Sequence, residues 1–219
     1  MDGFGTGLGG ELRRRDFVRH AGFAGLAAAI ASALPVAARM ARPDSALAQD
    51  PSLTDGTLQA FFDTIIPGRK VDVTQLGNPI HPLAIAGVDP EPGAVEGDAL
   101  LLAHNPRIGF DALAPPFLAD LEARSLSAGG QFLDFGYEAR ERVCLDGLAF
   151  SNPDRAIWEA AAAIPFTAFC AAANIVDATR ASAVGYQVMG HPGTAPHGYK
   201  DFSFRRRLNR EITEKGYLP

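Results

Sequence analysis

The side chains best suited to proton transfer or metal ligation near neutral pH are four histidines beyond the first twenty residues: His81, His104, His191 and His197. His81 precedes Pro82 in a stretch rich in Pro and Gly, and His104 stands beside Asn105-Pro106. His191 and His197 lie six positions apart in the run Met189 to Tyr199. A loop curled around an ion could use that last pair, but a metal site needs a third and a fourth donor. Nothing nearby supplies them at a recognisable spacing. The plainer reading is a rigid loop whose histidines donate to backbone carbonyls or face a partner. Asp134 and Glu138 are four apart and could act as paired carboxylates on a helix. With Arg142 four further on, a surface charge ladder is the simpler reading. The run Arg205-Arg206-Arg207 is flanked by Phe202, Phe204 and Leu208. Forked cations among apolar anchors suit a protein interface, so His191, His197 and Arg205 to Arg207 are the candidate partner-contact residues.

No sequence motif assembles these groups into a catalytic centre. G-x-S-x-G, H-E-x-x-H and G-x-x-x-x-G-K-[ST] are all absent. The glycines between Gly3 and Gly10 follow no strand, which rules out a dinucleotide loop. The two cysteines, Cys144 and Cys170, form no C-x-x-C-H and no cluster. Both stand in apolar, helix-like surroundings where a free thiol behaves as a small hydrophobe, although an oxidising compartment would permit a bridge. No catalytic, cofactor-binding or metal residue is assigned.

The opening segment carries the most specific signal. Arg14 and Arg15 stand two positions before Phe17, and an uncharged, Ala- and Gly-rich stretch runs from Ala21 to Ala38. Ala46-Leu47-Ala48 then places small residues where a signal peptidase reads them. This order of charged, apolar and cleavage regions is that of a secretory signal, and the Arg pair marks the twin-arginine route. A retained membrane anchor is the alternative. Its 18 residues are at the low edge of what spans a bilayer core of about 30 Å, and Gly22, Gly25 and Pro35 weaken it in lipid. Residues 1–48 are therefore expected to stand outside the fold, with residues 49–219 as one domain. The expected location is extracytoplasmic, periplasmic or secreted, with membrane contact only through the signal.

Of the 219 residues, the leader's 48 leave 171, enough for one core. Six of the 20 basic and four of the 25 acidic residues lie in the leader, so the remainder holds 14 basic and 21 acidic. That acidic balance does not point to nucleic acid or anionic lipid.

The elements that must position these side chains read as helices. Leu58, Phe61, Phe62, Ile65 and Ile66 share one helical face, with Ser52 or Thr54 as cap and Asp55 near the positive end of the dipole. Pro67-Gly68 stops that helix. Residues 67–94 then hold five prolines and four glycines, and a loop of that length is commonly functional. A short helix over 95–103 should bring Leu100, Leu101 and Leu102 into the core. Further helices are predicted over 115–126, over 132–150, and after Asn152-Pro153-Asp154, where Pro165 should introduce a kink. Within 132–150, Phe132, Phe135, Ala139, Val143 and Cys144 form the expected buried stripe. Glu138, Arg140, Glu141 and Arg142 form the expected solvated face. Sustained period-two alternation is absent, so the fold class is mainly α: a single compact helical domain with long Pro/Gly-rich loops and an extended tail over 185–219.

These parts resemble the gluconate 2-dehydrogenase subunit 3 family. Three features carry the likeness: the twin-arginine signal Arg14-Arg15-Asp16-Phe17, the segment Asp63-Thr64-Ile65-Ile66-Pro67, and Pro92-Gly93-Ala94 after the loop. Gly198-Tyr199 is a weaker echo. The resemblance implies a non-catalytic small subunit that binds, stabilises and co-exports a large, signal-less flavin-dependent dehydrogenase through the twin-arginine translocase. FAD would then be held by that partner and not by this chain. Composition makes the loop 67–94 and the Arg-bearing tail the candidate contact surfaces. The alternatives are a free-standing exported enzyme, its site assembled from His81, His104, His191 and His197, and an extracytoplasmic binding protein.

Overall fold

Helix α1, Pro51–Ile65, buries Leu58, Phe61 and Phe62 completely, as their three- and four-residue spacing requires. Ile65 and Ile66 are half-buried where the chain leaves the helix. The helix starts earlier than a cap at Ser52 or Thr54 would allow. Pro51 opens it, where a missing N–H costs nothing, so both residues lie inside it. The computed structural model describes residues 30, 33, 51–175, 183–190, 212–213 and 216–217.

The remaining elements are helix α2 (Ala99–Ala103), a 3-10 turn (Phe110–Ala112), α3 (Ala114–Ala128), a second 3-10 turn (Phe132–Asp134), α4 (Tyr137–Gly147), α5 (Arg155–Cys170), α6 (Val184–Val188) and a two-residue hairpin of β1 (Ile212–Thr213) with β2 (Gly216–Tyr217). The chain is mainly α, and none of the described helices is long and apolar enough to cross a membrane. Helix α3 carries prolines in its first turn and ends at Gly129, whose φ of 110° is the left-handed cap glycine favours. Helix α5 follows Asn152-Pro153-Asp154, with Asn152 Oδ1 accepting from the Asp154 amide at 3.0 Å.

Phe61 is the hub of the core. Its ring meets Phe117 at 4.8 Å, Trp158 at 6.0 Å and Phe62 at 6.0 Å between centroids, all edge-on. Phe117 in turn meets Trp158 at 5.1 Å, so α1, α3 and α5 share one aromatic cluster. Edge-on pairs of this kind each contribute about 0.5–1.5 kcal/mol beyond area burial. Ile30 and Ala33, inside the expected leader, are helical, 3% and 0% exposed, and belong to the same core. At these two positions the segment expected to stand outside the fold packs with the domain.

Three local expectations are corrected. Helix α2 is shorter than 95–103 and buries Leu102, while Leu100 is half-buried and Leu101 is 45% exposed. A helix rotates about 100° per residue, so three consecutive leucines cannot share one face. The single helix over 132–150 is broken at Phe135 and Gly136, both extended, which separates Asp134 from the helix carrying Glu138. Arg140 is not on a solvated face: it is 2% exposed, whereas Phe135 and Ala139 are only half-buried. Cys144 and Cys170 are free thiols, and burial pushes the Cys144 thiol up to about 12.

The loop between α1 and α2 is closed at its base. Gly68 and Gly93 touch through their backbones: a Cβ on Gly93 would come within 2.7 Å of the Gly68 nitrogen. The Ala94 amide donates to Ile66 carbonyl at 3.1 Å, and the Arg69 amide to Glu91 carbonyl at 2.8 Å. Arg69 also forks onto Glu96 at 2.7 and 3.0 Å. The Pro67-Gly68 and Pro92-Gly93-Ala94 segments thus meet back to back, across a gap only glycine permits.

Candidate binding site

The mouth of that closed loop, together with one edge of α1 and α2, lines a half-open cavity of about 460 Å3. It is lined by Asp55 and Gln59 from α1, Thr74, Asn78, Ile80 and His81 from the loop, Asp98 just before α2, and Leu100, Leu101 and His104 from α2 and its end. The loop reaches this position because three groups hold it. Gln59 donates to Pro79 carbonyl at 3.3 Å and accepts from the His81 amide at 2.8 Å. Lys70 Nζ donates to Pro82 carbonyl at 2.7 Å and to Ile85 carbonyl at 2.6 Å. Asp98 accepts from Thr74 Oγ1 at 2.5 Å, Asn78 Nδ2 at 2.8 Å and the Leu76 amide at 3.2 Å.

Asp98 adopts a left-handed conformation, φ 61°, while 1% exposed. Such a backbone costs of order 1 kcal/mol and persists only where its surroundings over-determine it. Its three hydrogen bonds and the Asn174 side chain on its carbonyl, at 2.6 Å, supply that determination.

His104 sits at the rim between two carboxylates. Nε2 is 2.9 Å from Asp55 Oδ1 and Nδ1 is 3.3 Å from Asp111 Oδ1. The Asp55 hydrogen bond is the main reason its pKa is raised to about 9, with partial burial opposing and Asp111 adding to the rise. An imidazolium with both N–H groups engaged has no lone pair for a metal. His81 is fixed differently. Its Nδ1 accepts from the Leu83 amide at 3.3 Å, so in the neutral ring the proton is on Nε2. The imidazole of His81 packs against Gly56, where a Cβ would come within 2.9 Å of the ring.

Of the four histidines considered for a shared site, His81 and His104 therefore meet at one cavity. His191, His197 and the tail residues Arg205, Arg206 and Arg207 lie outside the described residues, as do Arg14, Arg15, Phe17, Ala46 and Ala48 in the expected leader. Among the described residues no group of three or more His, Cys, Asp and Glu is arranged to hold a metal ion. The sequence offered no sign of Gln59, Asn78 and Asp98 as lining groups, and it placed Asp55 as a helix-dipole residue. Asp55 lies in the second turn of α1 and faces His104 across 49 residues of sequence.

Residues 52–215 match DUF5987, a family of unknown function. The chain belongs to that family. No curated protein and no solved structure matches it. The span this DUF5987 chain shares with its family starts just past the expected end of the leader and takes in every residue lining the cavity.

Proposed function

We propose that this DUF5987 chain is a non-catalytic small subunit that binds, stabilises and co-exports a folded flavin-dependent dehydrogenase or oxidase through the twin-arginine route. The observation that carries the reading is the loop 67–94. It is pinned at its base and mouth, yet presents Val73, Leu76, Leu83 and Val88 at 47–55% exposure. Aliphatic side chains held outward on a rigid frame lose little entropy on docking, which suits a permanent protein partner. The two segments behind the resemblance to the gluconate 2-dehydrogenase subunit 3 family, Asp63 to Pro67 and Pro92 to Ala94, are the ones that close this frame. In this reading the flavin belongs to the partner, the Arg14-Arg15 signal carries the pair outward, and the complex works outside the cytoplasmic membrane.

The test is a pull-down of tagged full-length chain from its native host, with mass spectrometry and a flavin absorbance scan. A signal-less flavoprotein near one-to-one is expected, and exchanging Arg14 and Arg15 for Lys should retain both proteins in the cytoplasm. A clean, flavin-free monomer would overturn the reading.

A second reading, an extracytoplasmic binding protein or enzyme acting alone, is favoured by the meeting of His81 and His104 at one cavity.

A further inference from the structure

Several polar groups around the cavity already have partners within the fold. Gln59 has both amide ends engaged by the loop, Thr74 Oγ1 is bonded to Asp98, and His104 has both ring nitrogens on carboxylates. What remains open among the described residues includes one carboxylate oxygen, on Asp55. Asp55 uses Oδ1 for His104 and has Oδ2 to offer, and Asn78 uses its amide nitrogen for Asp98 and has Oδ1 to offer. The open donors are the second N–H of the Gln59 amide, the second N–H of the Asn78 amide and, on His81, the ring nitrogen Nε2 that is not bonded to the Leu83 amide. Ile80, Leu100 and Leu101 supply apolar wall. The lining holds two carboxylates, Asp55 and Asp98, against the one imidazolium of His104.

We propose that this cavity binds a small aliphatic ammonium, its head hydrogen-bonded to Asp55 and its hydrocarbon lying against Ile80, Leu100 and Leu101. A negatively balanced cavity with an open carboxylate oxygen and apolar walls favours a cationic donor and repels a carboxylate. The hydrocarbon removes apolar wall from water, a gain an inorganic cation cannot make. The inference does not depend on a flavoprotein partner. The same chemistry is carried by free amines and by lysine side chains.

Saturation-transfer NMR on the full-length chain tests it with three probes of one carbon skeleton: n-butylammonium, n-butanol and butyrate. Saturation of butylammonium is expected, with weaker transfer to butanol and none to butyrate. Asp55→Asn should weaken butylammonium about tenfold, the loss of one charge-assisted hydrogen bond. Leu101→Trp, at an exposed rim position that leaves the core untouched, should abolish transfer by filling the mouth. It keeps the test decisive if the Asp55 variant folds poorly. A blocked lysine, N-acetyl-lysine methylamide, separates the sources: transfer equal to that of butylammonium assigns a protein side chain, and its absence assigns a free amine. No transfer to butylammonium, equal transfer to butyrate, or transfer unchanged in Leu101→Trp would overturn the proposal.

Discussion

Asp63 and Arg140 hold the same short stretch of the loop from opposite ends. Asp63 accepts from the Ala86 amide at 2.8 Å and from the Gly68 amide at 3.3 Å. Arg140 donates to the carbonyls of Leu83 at 2.6 Å and Ala84 at 2.7 Å, and also to Phe132 and Leu133. Burial pushes the Asp63 carboxyl up, while those amides and the Arg140 and Lys70 charges pull it down. Burial lowers the Arg140 guanidinium, with Asp63 opposing. The pair converts a Pro- and Gly-rich excursion into a fixed surface.

Arg140→Met should therefore cost about 3–5 kcal/mol, because it orphans buried carbonyls and removes one of the two positive charges that offset the burial of Asp63. Arg140→Lys should recover little, since one ammonium cannot reach four carbonyls in a planar fork. Urea unfolding followed by circular dichroism measures both, and an Arg140→Met midpoint within error of the parent would refute the clamp.

Closure at the base makes a separate claim. Gly68→Ala and Gly93→Ala should each cost about 1–3 kcal/mol through overpacking, and should open residues 69–92 to limited proteolysis. Gly136→Ala is the control. Nothing lies within 4 Å of its Cβ and its φ is −68°, so it should be neutral or slightly stabilising. Proteolysis patterns identical across all three variants would count against the closed base.

His104 gives a pH dependence of defined sign. Its folded pKa is raised above the ordinary 6.5 to about 9, so the stabilisation from its contacts is fully present below 6.5 and is lost as pH rises through about 9. Two-dimensional NMR of the ring Cε1–H should give a midpoint near 9, and thermal melts should decline over the same window. Asp55→Asn removes the main cause, so the midpoint should fall toward 6.5. A His104 midpoint near 6.5 in the parent would show that the Asp55 contact does not form in solution.

Trp158 is the only tryptophan, so its emission reports one place. Its indole covers Gly147 so closely that a Cβ there would overlap the ring, and its Nε1–H donates to Asp120 Oδ2 at 2.9 Å. Gly147→Ala should cost about 1–3 kcal/mol and shift the native emission to the red as the indole moves outward. An unchanged spectrum and unchanged stability would mean that α4 and α5 are less closely packed at this crossing.

Local composition was enough for three of the helices, α1, α3 and α5. Apolar spacing determined α1 and its buried Leu58, Phe61 and Phe62, and prolines and glycines marked where α3 begins and ends and where α5 begins. These are signals between near neighbours, and periodicity reads them directly. The cavity was not legible in that way. Asp55 meets His104 across 49 residues, Gln59 meets the His81 amide across 22, and Thr74 meets Asp98 across 24. Arg140 was misplaced for the same reason. Its charge predicts solvent wherever its neighbours on the helix are polar, yet the carbonyls that satisfy it include Leu83 and Ala84, 57 and 56 residues away. A buried charge is tolerated only where such partners converge. Sequence alone determined that the fold would be mainly α and where α1, α3 and α5 would lie, whereas the tertiary fold decided where α4 begins, which polar groups would find partners and which would be left facing the cavity.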